Sequence, residues 1–253
     1  MNTGALRKSH IAEAVRDHIN EISQSFAADG KEVSVVIPMD GYHLERKELK
    51  KLAEDDTVFE SDQFGEDNEE VEKRKLTYEQ LLARRGAPFT YCPSKFIDDL
   101  KKAKKSGEGS FPVYNRSKHD PVKNGVQIKK HHKIIFVEGL YLLCTDDPDW
   151  QELHDILDDK WYIEVSLEET KRRLVERHLK SWNDQKTKMY GGNGPKAAAK
   201  KAETNDMINA RCIKRHSKEH ADLKIRNEEV TNELRDGDYR RGEEIIRDSA
   251  LYA

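Results

Sequence analysis

Apolar side chains recur at Ile11, Val15, Ile19, Ile22 and Phe26 with polar residues between them. Spacings of three and four put all five on one face of a helix, which Asp29-Gly30 would end, so the pattern predicts a helix over residues 9–28. The pattern then changes to short continuous apolar runs. VSVVIPMD, from Val33, is stopped by Pro38 and ends at Asp40; KIIFVEGLYLL, from Lys133, reaches Glu138-Gly139. KWYIEVS covers Lys160 to Ser166 ahead of a helical pattern from Leu167 to Leu179, and ADLKIRN, from Ala221, offers a last strand. Unbroken apolar runs are the mark of strands covered on both faces. Their alternation with helical patterns predicts an α/β fold: a doubly wound, mainly parallel sheet with flanking helices, in one domain over 1–253.

Two stretches depart from this rhythm. Residues 54–75 are acidic and mixed and are expected to form an exposed excursion. NDQKTKMYGGNGPKAAAKK, residues 183–201, is polar, glycine-rich and lysine-rich, and is expected to form a mobile flap or lid.

Composition narrows the function classes. A formal charge of −3 gives no global attraction for nucleic acid or acidic lipid. The three cysteines, Cys92, Cys144 and Cys212, are unpatterned, which suits a reducing compartment and neither a disulfide framework nor a zinc cluster. His216 and His220 are helix-spaced without an evident third ligand, and His131-His132 reads as a solvated strand entry. No apolar run reaches the roughly 20 residues a membrane span needs. The expectation is a soluble cytoplasmic protein acting on a small molecule, with no nucleic-acid or membrane partner; a homodimer is possible.

Candidate chemistry begins at GALRKSHIAEAV, Gly4 to Val15. A P-loop surrounds phosphates with backbone N–H groups freed by glycines; its lysine reaches the terminal phosphates and its Ser/Thr holds magnesium. Lys8 and Ser9 fit the end of that motif, but Asn2 and Arg7 stand where its two glycines belong. Asp40, in MDGYHL, lies just past a buried strand, where α/β sheets present ligands, and could accept a hydroxyl proton; its neighbours Tyr42 and His43 could hold the substrate. A turn aspartate is the plainer reading. Glu138 also follows an apolar strand and could hold magnesium or its waters, although a helix-capping or surface acid is as common. ARRGAPFTYCPSKF, with Arg85, and PVYNRSKHDPV, with Tyr114, Arg116 and His119 in one loop, could line a polar pocket, or be ordinary proline-rich surface. Arg172, Arg173 and Arg177 run into the flap; they suit a transferring phosphoryl group, or a solvated helix face.

In this order, MDGYHL, RRGAPFTY, PVYNRSKHDPV, FVEGLYLL, ETKRRLVERHL before a lid and ETNDMINARCI after it resemble the phosphoribulokinase/uridine kinase family of P-loop kinases, with its pantothenate-kinase-like branch and fungal relatives. The resemblance runs from about Lys8 to Asn227. It implies transfer of the γ-phosphoryl group of ATP, with Mg2+, to a hydroxyl of a nucleoside-, pantothenate- or sugar-like metabolite. By position it implies Asp40 as general base and Glu138 and Ser9 on the magnesium side. Lys8 and Ser9 would be the P-loop ends, with Arg172, Arg173 and Arg177 as lid-side phosphate ligands. Tyr114 and His119 would contact substrate. Asn205 and Asp206 match a pair after the lid to which the residues alone assign no role.

Three departures shape the expectations. The family's first strand does not precede the loop, the loop glycines are replaced, and Cys92 stands where relatives often carry aspartate. An unsatisfied buried backbone group costs about 1–3 kcal/mol, so a row of them left by a missing central strand would exhaust a stability of about 5–15 kcal/mol. Either the neighbouring strands close up and pair, or the natural form carries an N-terminal piece ahead of Met1; the packing face retained by the first helix favours the second. This chain is expected to bind ATP weakly and to turn over slowly or not at all. The alternative is a catalytically inactive kinase-like protein that binds a metabolite or partner.

Overall fold

A computed structural model describes residues 8–24, 30–55, 59–60, 73–144 and 148–227. Helix α1 (Lys8–Gln24) forms where the three-four spacing predicts, while residues 25–28 of the predicted helix lie outside the described residues. Its junction with the sheet is polar. The buried Asn20 side chain accepts from the Ser34 and Val33 amides at 2.8 and 3.0 Å and donates to the Ser34 carbonyl, satisfying backbone groups where the first strand starts.

That strand, β1 (Ser34–Pro38), breaks at its proline into a 3-10 turn, Met39–Tyr42. Gly41 is required there: a Cβ would lie 2.0 Å from the Pro112 carbonyl oxygen. Helix α2 (Arg46–Glu54) follows, opened by a reciprocal Glu45/Glu48 capping box. Of the expected acidic excursion, the antiparallel pair β2 (Phe59–Glu60) and β3 (Lys73–Arg74) is described; residues 56–58 and 61–72 lie outside the described residues. Helix α3 (Tyr78–Ala83), capped by Thr77, leads to α4 (Pro93–Ser106), whose Phe96, Ile97, Leu100 and Ala103 are buried.

β4 (Gly109–Asn115) and β5 (Asp120–Ile128) form an antiparallel hairpin. The expectation placed Tyr114, Arg116 and His119 in one loop. Tyr114 instead lies in β4, while Arg116 and His119 do share the turn, residues 116–119. β6 (Ile134–Glu138) runs parallel to β1, in register from Ser34 opposite Ile134 to Pro38 opposite Glu138. Short helices α5 (Pro148–Gln151) and α6 (Leu153–Ile156) lead to β7 (Trp161–Glu164) and α7 (Leu167–Lys180), which Ser166 caps.

The expected flap is folded as two helices, α8 (Asp184–Tyr190) and α9 (Pro195–Lys201). Asn183 caps the first, left-handed Gly191 ends it, and Pro195 opens the second, whose alanine run favours helix and buries Ala197 and Ala198. A π-helical turn, Ala202–Asp206, joins α9 to α10 (Met207–Ser217), and β8 (Leu223–Arg226) returns parallel to β7.

The architecture is therefore α/β with parallel pairing, as expected. Its sheet is split: β1–β6 and β7–β8 are separate two-stranded units, unpaired with each other among the described residues. A cavity of about 1830 Å³ is lined both by Ile134 to Val137 of β6 and by Trp161 to Ile163 of β7. Ile134 and Trp161 are 40% and 41% exposed although their runs read as central strands. The two strands have not closed up on each other.

Candidate active site

The carboxyl ends of β1 and β6 meet the N-terminus of α1. Glu138, buried at the end of β6, accepts the Lys8 ammonium at 2.5 Å on one carboxylate oxygen and the Ser9 hydroxyl at 3.0 Å on the other. A carboxylate so enclosed needs both partners, because desolvating an unpaired charge costs several kcal/mol. Asn2, Gly4 and Arg7 lie outside the described residues.

Asp40 enters the same cavity one strand away, and an aromatic cage surrounds it. The buried Tyr91 hydroxyl is held against the Asp40 carboxylate; burial, then that negative charge, push its pKa well above the usual value. His43 packs its ring on Tyr91 and Tyr114, at 4.0 and 4.9 Å between centroids, with Nδ1 2.8 Å from the Asp40 carbonyl. Arg85 donates to the Leu44 carbonyl at 2.8 Å and to Asp120 at 3.1 Å, and lies over the Tyr114 ring at 5.4 Å.

Burial lowers the His43 pKa, against the smaller opposing pull of the Asp40 carbonyl. The unfolded chain therefore binds a proton that the folded chain refuses, and stability falls as pH drops through the unfolded value of about 6.5. The slope from this one site is at most about 1.4 kcal/mol per pH unit. Urea unfolding of wild type and His43→Gln across that range is expected to show a shallower pH slope in the variant; equal slopes would contradict the assignment.

The far wall carries the lid-side cations. Asp206, at the end of the π turn, accepts from His178 Nε2 at 2.7 Å and from Arg177 at 3.4 Å, with the Lys201 ammonium at 3.8 Å. Burial alone would raise the Asp206 carboxyl, but the His178 hydrogen bond and the Lys201 and Arg177 charges outweigh it and hold the carboxyl below its ordinary range. All four residues line the cavity that holds Lys8, Glu138 and Asp40.

No family model matches the chain. ATP-dependent kinase YFH7 of Saccharomyces cerevisiae is 26% identical over 210 residues, 79% of this chain. The chain spans 56% of the length of that curated relative. A solved candidate fructose transport system kinase of Silicibacter sp. TM1040 superposes with a TM-score of 0.58 at 25% identity, over 84% of each chain. The chain is thus similar in sequence and in fold to P-loop kinases. The YFH7 structure, described as a candidate P-loop kinase with a circular permutation, shares the fold with a TM-score of 0.58 at 23% identity, over 78% of this chain and 59% of its own.

Against the site expected of such a kinase, the structure brings Lys8, Ser9, Asp40, His43, Arg85, Tyr114, Arg116, Glu138 and Arg177 to one cavity and leaves four residues out. Arg172 is exposed and braced between Glu169 and Glu176 on its own helix. Arg173 is buried, donating to Glu169 at 2.5 Å and to the Asn227 carbonyl at 2.8 Å, so it ties α7 to the end of β8 instead of facing phosphate. Hydrogen bonds from Arg172 and Arg173 hold the Glu169 carboxyl down at about 2. Tyr42 is a core residue: its ring packs on Phe96 and its hydroxyl donates to Asp99 at 2.9 Å. His119 sits exposed at the hairpin turn with φ 54° and is not among the cavity's lining residues, although Arg116 of the same turn is. Sequence reasoning passed over Tyr91, Asp120, His178 and Lys201. The aromatic run in RRGAPFTY pointed near Tyr91; the others carry no local signal.

Proposed function

We propose that the protein is an ATP-dependent small-molecule kinase that transfers the γ-phosphoryl group to a hydroxyl of a nucleoside-, pantothenate- or sugar-like metabolite. One observation carries this reading: Pro38 and Glu138 are register partners on adjacent parallel strands, so the carboxylates of Asp40 and Glu138 enter one cavity between α1 and the acceptor loops. Adjacent acids at the carboxyl edge of a parallel sheet can divide the work between proton transfer and phosphate-side charge.

In the proposed step the acceptor hydroxyl gives its proton to the Asp40 carboxylate as its oxygen bonds to the γ-phosphorus. The bond from that phosphorus to the β–γ bridging oxygen breaks, and ADP leaves. Tyr91 fixes the Asp40 carboxylate, while His43, Tyr114 and Arg85 present one aromatic and cationic wall to the acceptor. Lys8, Arg177 and Lys201 offer positive charge to the phosphates. Magnesium fits the oxygen donors present: it is commonly held by one or two protein oxygens plus phosphates and waters, and Ser9 and Glu138 supply such a pair. When bound, it neutralises charge on the β- and γ-phosphates.

Impaired activity of this chain belongs to the same reading. Glycine at position 7 would allow the close backbone approach that an arginine resists. A second reading, an inactive kinase-like binder, is favoured by the Lys8–Glu138 pair, which occupies the lysine the phosphates would need. The test is incubation with ATP·Mg and a panel of hydroxyl metabolites, reading ADP release and acceptor mass. Gain of one phosphoryl group by one acceptor class is expected, faster when the loop glycines are restored. A folded, loop-restored chain that still binds no ATP·Mg overturns the kinase reading and leaves the binder.

A further inference from the structure

The residues after the lid, Ala202–Asp206, form a π-helical turn, and two consecutive side chains leave it in different directions. Single π turns inside helices are rare and concentrate at functional sites. Asn205 Nδ2 donates to the Arg85 carbonyl at 3.0 Å. One helical turn on, Asn209 Nδ2 donates to the Gly86 carbonyl at 3.1 Å, which also accepts from the Tyr141 hydroxyl at 2.6 Å. Gly86 has φ 101°, so this acceptor loop depends on being held. Asp206 turns instead to Arg177, His178 and Lys201, while Asn205 Oδ1 is buried without a hydrogen-bond partner.

We propose that Asn205 and Asp206 are a paired positioning device. Asp206 is the internal counter-ion that holds Arg177, His178 and Lys201 together until a polyphosphate replaces it. Asn205, one residue away on the same turn, carries the resulting shift to the Arg85–Gly86 loop on the acceptor side. The assignment of this loop to an acceptor rests on the kinase reading; the anion exchange at Asp206 does not. Lys201 needs such a partner, since burial pulls its ammonium pKa down and Asp206 opposes that pull.

The probe is inorganic tripolyphosphate, titrated by calorimetry into the full chain at low salt. Asp206→Asn keeps the side-chain size and removes the competing charge, so it is expected to bind the probe about five- to tenfold tighter than wild type. Asp206→Glu, which restores the charge, is expected to return within about twofold of wild type. A merely structural role predicts the opposite, weaker binding by the Asn variant. In wild type the probe is expected to change amide exchange across residues 84–90. Asn205→Ala is expected to bind the probe as wild type does while losing that change.

Weaker or unchanged binding by folded Asp206→Asn overturns the counter-ion assignment, as does absence of saturable binding in the millimolar range for every chain. An unaltered exchange response in Asn205→Ala overturns the link to the loop. Tighter binding of the probe by Asp206→Asn, alongside a folded loop-restored chain that binds no ATP·Mg, would refute the kinase reading and leave the counter-ion in place.

Discussion

Restoring the phosphate loop, by Asn2→Gly and Arg7→Gly with an apolar strand fused ahead of Met1, is expected to raise affinity for ATP·Mg at least about a hundredfold. Two backbone N–H groups freed to donate to a charged phosphate suffice for that, at about 1.5 kcal/mol each. The same change is expected to stabilise the fold. β6 and β7 each leave an edge unpaired towards the cavity between them among the described residues, with Ile134 and Trp161 two-fifths exposed. A strand seated there would satisfy ladder groups and cover both side chains. A gain of about 3 kcal/mol in a chain of this size is about 6–12 °C in melting temperature. Calorimetric titration and thermal unfolding, on this chain and the restored one, measure both effects. Equal affinities with an unchanged melting temperature would mean that strand and loop do not seat as argued. Micromolar binding by the unaltered chain would refute its proposed impairment.

Asp40→Asn in the restored chain is expected to lower kcat by about 10²–10⁴, the usual contribution of a positioned proton acceptor. Affinity for ATP·Mg should stay within about threefold, because Lys8, Ser9 and Glu138 form their own hydrogen-bonded group where α1 meets the end of β6. The amide keeps the size of the carboxylate and can still accept from Tyr91, so a loss of rate with retained binding points to proton transfer rather than collapse of the pocket. Steady-state rates with calorimetric affinities make the comparison. Equal loss of kcat and affinity would reduce Asp40 to a structural turn residue, and an unchanged rate would remove it from the chemistry.

The parts of this site legible along the chain are those whose signal is local. Buried parallel strands must be continuously apolar, so SVVIP and IIFVE announce themselves, and a parallel sheet presents whatever follows such strands at one edge. Asp40 and Glu138 could therefore be brought together from sequence alone. The three arginines of α7 could not be told apart. Arg172 looks out about 100° from Arg173, while Arg173 and Arg177 share a face one turn apart. The partners differ: Asn227 for Arg173, Asp206 for Arg177, and for Arg172 the acids of its own helix. In the segment read as a lid, the polar, glycine-rich composition hides two short helices. Asn183, Gly191 and Pro195 cap them, and α9 buries its alanines.

The sequence by itself determined the α/β class, the strands that end in carboxylates, and the Lys8-Ser9 start of the first helix, because hydrophobic period and helix start signals act between near neighbours. Only the tertiary structure decided that Tyr91 guards Asp40, that Tyr42 belongs to the core, that Asp206 gathers the lid cations, and that β6 and β7 stand apart. Each of those depends on contacts between residues remote in the chain, where register, helix rotation and burial select one partner among many that are chemically equivalent.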